Sequence, residues 1–186
     1  MARNDVTFVG AAFSISVHQG AAQFSAALAR GVRLRFLVFD FMRADPDDVS
    51  AVAKELGLSF DSMRERFVST LNTLLELRSV AQANSWPNFE LRLLSQDPGM
   101  RRYIVDQNDM RAGQTFYVPR VRRSLDIPAL AISNEVRDVV EQIVDGIQKL
   151  WDGAAQISDD WVNEYRNMTA AADGDDNRFV VRVADA

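Results

Sequence analysis

The chain has 186 residues, 47% of them hydrophobic and 25% charged, which fits one globular domain, or one domain with an appendage, around a sizeable core. It has no cysteine and a single histidine, His18, so disulfides, thiolate metal sites, Cys nucleophiles and any multi-histidine centre within one subunit are excluded. The net charge of −5 argues against general binding to a phosphate backbone, and nucleic acid is not expected as a partner of this chain alone.

A strand is predicted over Val6–Phe13 (VTFVGAAF), a short apolar run of the kind buried on both faces. The polar segment Ser14, Ser16, His18, Gln19 and Gly20 follows as a loop, then a helix over Ala21–Arg30 that Gly31 stops. Val32–Phe39 (VRLRFLVF) is a second strand, closing at Asp40. Strand, helix and strand make a right-handed crossover with parallel strands. The loops after both strands then share the carboxyl edge of the sheet, where ligands of open α/β sheets bind.

Asp45 before Pro46 is a helix N-cap with proline at the first helical position, and Asp47 and Asp48 suit the positive helix end. Gly57 ends that helix, and Ser59 opens a longer one reaching about Ala83, with Phe67, Leu71, Leu74 and Leu75 at helical spacing. Phe89–Leu94, Tyr103–Val105 and Thr115–Val118 read as three meander strands, separated by turns at Asp97-Pro98-Gly99 and Asn108–Gly113. A basic turn with Arg120, Arg122 and Arg123 leads to a core strand at Ala129–Ile132. Ser133 or Asn134 then caps a strongly patterned helix to about Asp152. In the remainder, Ser158–Thr169 fits a short helix with Trp161, Tyr165 and Met168 on one face, and Phe179–Val183 a terminal strand. The domain is therefore expected over 1–154, with 155–186 as a C-terminal extension that docks on another surface or a second subunit.

No run approaches the roughly 20 apolar residues of a membrane helix. Asp5 and the strand-like start argue against a signal peptide, so the chain is expected in the cytoplasm with no membrane partner.

The order of elements, with GVRLRFLVFD, FELRLLSQDPGMRRYIVD and IQKLWDGA, resembles one half of the phospholipase D-like superfamily. More closely, it is similar to the small phospholipase D-like domains of bacterial regulatory proteins. The resemblance implies an α/β fold: a mixed β-sheet flanked by helices on both faces, here with the C-terminal helix and strand extension. That family's catalytic signature runs His, any residue, Lys, four residues, Asp, six residues, Gly. Asp106 and Gly113 satisfy its second half, and Gly99 and Arg101 stand where His and Lys belong. In such enzymes the His attacks phosphorus and the Lys stabilises charge on the equatorial oxygens. Glycine cannot attack, whereas Arg can still meet the anion.

The resemblance therefore implies a pseudoenzyme with no catalytic residue: a regulatory or sensor module binding a small anionic, phosphate-bearing ligand, working as a homodimer. Its expected ligand-binding residues are Ser14, Ser16, His18, Gln19, Asp40, Arg101, Asp106 and Asn108. Asp40 with Arg43 also has a plainer reading, as helix-entry chemistry. The arginines Arg101, Arg102, Arg120, Arg122 and Arg123 read either as an anion grip or as solvated partners of nearby carboxylates. Turn chemistry accounts for Asp97 and Asp109, so no metal and no cofactor is expected. Two alternatives stay open: a divergent phosphodiesterase or nuclease using His18 with Arg101, and a protein-interaction subunit binding through a sheet edge or the Trp161–Tyr165 surface.

Overall fold

A computed structural model describes residues 4–10, 14–98, 100–105, 114–119, 130–133 and 135–172. The elements are β1 (Asp5–Gly10), α1 (Ser14–Ala29), β2 (Arg33–Phe39), α2 (Pro46–Leu56), α3 (Phe60–Ala83), β3 (Phe89–Leu94), β4 (Met100–Val105), β5 (Gln114–Pro119), β6 (Leu130–Ser133), α4 (Arg137–Gly153), β7 (Ala155–Gln156) and α5 (Asp159–Ala172). The strands form one mixed sheet in the order β6-β5-β4-β1-β2-β3-β7. β1, β2 and β3 run parallel, and every other pairing is antiparallel. The fold is α/β.

Local chemistry sets most boundaries. Asp45 Oδ1 accepts from Asp47 N at 2.8 Å at the start of α2, and Gly57 closes that helix in the left-handed conformation at φ 67°. Ser59 Oγ accepts from Ser62 N at 3.1 Å to open α3. Alternation along the strands then divides the core between the two sheet faces. One face holds Phe8, Leu34, Phe36, Val38, Leu91 and Leu93 under α1, α2, α3 and α5. There Phe8 and Phe36 stack at 4.7 Å, with the Phe24 ring edge-on to both. The other face holds Val9, Leu37 and Leu94 against Ile147 and Trp151 of α4.

Four expectations are corrected. The segment Ser14–Gly20 is not a loop, because α1 begins at Ser14 and runs through it. Gly20 lies inside the helix under the Phe24 ring, where an added Cβ would come within 2.9 Å of that ring. Its missing side chain makes room for the aromatic cluster; it does not mark a turn.

β3 is not part of a meander either. It pairs in parallel with β2, while β4 lies beyond β1, so the chain from Leu94 to Met100 crosses the ends of two strands. The meander is β4, β5 and β6. The helix expected to be capped by Ser133 or Asn134 starts at Arg137 with no side-chain cap: Ser133 ends β6, and its Oγ accepts from Glu135 N at 3.3 Å. Asn134 lies outside the described residues.

The segment beginning at residue 155 does not pack elsewhere in its described part. β7 pairs with β3, and Ile157, Trp161, Val162 and Tyr165 are buried in the core of this same chain. Tyr165 Oη donates to Asn72 Oδ1 at 3.0 Å, Arg78 pairs with Asp159 at 2.9 Å, and Arg43 pairs with Glu164. Packing is thus continuous across the boundary expected at 154, and the Trp161–Tyr165 pair, 6% and 1% exposed, offers no surface to a partner. The strand expected at Phe179–Val183 lies outside the described residues. Among the described residues, no helix is long and apolar enough to cross a membrane.

Candidate functional site

The three parallel strands end together. Gly10 pairs with Val38 and Phe39 with Leu94, which defines a carboxyl edge. α1 starts four residues beyond Gly10. β4 enters at the same edge, since Arg102 pairs with Val9 and Arg101 with Val118. The edge therefore gathers the amino end of α1, the position of Arg101, and Asp40 directly after β2.

Asp40 is 5% exposed. Its backbone N–H donates to Leu94 O at 2.7 Å, tying the turn to β3. Its Oδ1 accepts from Met42 N at 3.1 Å and from Arg43 N at 3.3 Å, a side-chain turn that carries β2 toward α2. Burial pushes the Asp40 carboxyl above its ordinary pKa. The two backbone donors and the Arg43 charge oppose the shift, and the Glu164 charge adds to it. Arg43 meets Glu164 and lies 6.0 Å from the Trp161 ring centre, so α5 closes over this turn. The plainer reading of Asp40, helix-entry chemistry, accounts for these contacts.

The other expected site residues divide. Ser14, Ser16, His18 and Gln19 occupy the first turns of α1, and their side chains lie outside the described residues. Arg101 is a β4 residue at the carboxyl edge, its side chain likewise outside the description. Asp106 and Asn108 lie outside the described residues, as do Arg120, Arg122 and Arg123. β4 itself ends at the opposite edge, where Val105 pairs with Val6. Among the described residues no cluster of acidic or histidine side chains could hold a metal ion.

No protein-family model and no curated protein matches this chain. Among solved structures, TrmBL2, an archaeal chromatin protein with a novel mode of DNA binding, is 14% identical with a TM-score of 0.48. The match covers 84% of this chain and 46% of that chain, so this chain spans less than half the length of TrmBL2. TrmBL2 binds DNA. The expectation that nucleic acid is no partner of this chain is withdrawn, because net charge alone does not describe how arginines are grouped on a surface.

The amino edge of the same strands is a second polar region. A cavity of about 560 Å³ lies there, lined by Asn4, Asp5, Arg33, Arg35, Pro87 and Asn88. Arg35 Nε donates to the buried Thr7 Oγ1 at 3.0 Å, its Nη2 is 3.9 Å from Asp5, and its guanidinium faces the Trp151 ring at 5.6 Å. Arg92 stands 4.8 Å from the same ring and donates to Trp151 O at 2.8 Å. The signal was present in VRLRFLVF, where Arg33 and Arg35 put two charges on one side of an otherwise apolar strand.

Proposed function

We propose that this chain is a phospholipase D-like domain that has lost its nucleophile and acts as a non-catalytic regulatory or sensor module. Its ligand is a small phosphate-bearing anion held at the carboxyl edge of β1 and β2. The observation that carries this reading is the register of β4, which brings the Arg101 position to the edge where α1 begins. A helix amino end offers backbone N–H groups and the positive end of its dipole to an anion, and a guanidinium adds a planar pair of donors. Gly99 in place of the histidine leaves binding without attack on phosphorus.

The test is a thermal-shift screen of the full chain against inorganic phosphate, nucleotides and phosphorylated metabolites. At least one should raise Tm by mass action, and Arg101→Ala should remove the shift. A flat response across the panel contradicts the reading. Hydrolysis of bis-(p-nitrophenyl) phosphate that is lost in His18→Ala would establish the phosphodiesterase alternative in its place.

A further inference from the structure

The cavity at the amino edge has fixed walls. Asn88 Nδ2 donates to Leu28 O at 3.0 Å and to Val32 O at 2.7 Å, and Asn88 O accepts from Leu34 N at 2.8 Å. Asn4 O accepts from Arg33 N at 2.8 Å, which pins the other side. Arg35 is held between the Thr7 hydroxyl and the Trp151 ring. Gly31, at φ +84°, also lines the cavity, and no described residue lies within 4 Å of where its Cβ would be. Arg33 is exposed, and among the described residues no hydrogen bond or ion pair holds its guanidinium. The volume of about 560 Å³ falls within the span of small-molecule pockets, roughly 300–1,000 Å³.

Charge selects the chemistry. Arg33 and Arg35, two residues apart on one strand, favour an anionic group and repel a simple cation. Asp5 pairs in register with Arg33, and Gly31, two residues past the end of α1, lines the same cavity, bringing the negative end of that helix dipole to it. Those two features repel a simple anion and favour an ammonium group. We infer that this pocket binds a small zwitterion of the free amino-acid type, its carboxylate toward Arg33 and Arg35 and its ammonium toward Asp5. This site is separate from the proposed anion site, since β1 and β2 begin at one edge and end at the other.

Isothermal titration of the full chain with free L-amino acids, their N-acetyl derivatives and their carboxamides tests the assignment. Saturable binding of at least one free amino acid is expected, with both capped forms weakened. Arg33→Ala and Asp5→Asn should each weaken it by about tenfold or more, the scale of one lost charge-assisted hydrogen bond. Arg101→Ala should leave it unchanged, so failure here and failure of the anion site are read separately. Absence of saturable binding at millimolar amino acid, equal binding of the capped forms, or indifference to Arg33→Ala would each overturn the inference. Arg33 is exposed and Asp5→Asn is nearly isosteric, so loss of folding does not confuse the result.

Discussion

The two faces of the sheet are built differently. Under α1, α2, α3 and α5 the packing is aromatic and aliphatic, with Phe36, Phe39, Phe67, Leu71 and Leu74 fully withdrawn from water. Under α4 it is a small apolar patch bordered by two arginines that share the Trp151 ring. The first face is continuous with the carboxyl edge, because α5 closes over the Asp40 turn. The second face gives way to the open amino-edge cavity through Arg35. One face supplies the stability that holds the strand order; the other ends in exposed charge, which is what a small polar ligand needs.

Substitutions should separate the faces in order of size. Phe36→Ala removes a ring in contact with Phe8, Phe24 and Phe89, and should cost about 4 kcal/mol in chemical denaturation. Trp151→Ala should cost about 3 kcal/mol, because its patch is smaller and its arginine neighbours can reach water. It should also disturb Arg35, and with it the amino-edge cavity, which Phe36→Ala should not do selectively. An equal or larger loss for Trp151→Ala would remove the asymmetry. Tyr165→Phe deletes the hydroxyl that donates to Asn72 and should cost about 1 kcal/mol. Burial pushes the Tyr165 phenol up to about 12, so stability should not depend on its ionisation near neutral pH.

The smallest effect concerns pH. Because the folded pKa of Asp40 is raised, folding favours its protonated form over its charged one. Its contribution is fully present below the ordinary carboxylate pKa and lost as pH rises through the folded value. Asp40→Asn keeps an oxygen for Met42 N and Arg43 N and removes the buried charge. It should raise Tm at neutral pH and leave Tm unchanged at acid pH, below the ordinary carboxylate range. A Tm lowered at neutral pH would mean the charge itself is needed.

Much of the fold was legible because its signals are local. Asp45-Pro46, Gly57 and Ser59 carry their own cap chemistry, and the apolar strands declare themselves by composition. The polar run Ser14–Gly20 misled because serines and a glycine suit a loop as well as the first turns of a helix, and the ring that explains Gly20 inside the helix is not visible in the sequence. The meander misled because pairing is non-local: FELRLL fits beside β4 as well as beside β2, and alternation cannot choose. The tail helix showed an apolar side in sequence but not what that side touches, which proved to be α3 and the Asp40 turn. At the site, β4 enters at one edge and leaves at the other, so residues close in sequence around Arg101 and Val105 belong to opposite ends of the sheet.

Titration calorimetry with inorganic phosphate and pyrophosphate on wild type, Arg101→Ala and Arg33→Ala decides whether the carboxyl edge binds an anion. Saturable binding of at least one of them is expected for wild type and Arg33→Ala, with its loss in Arg101→Ala. Binding retained in Arg101→Ala, or lost only in Arg33→Ala, would contradict it.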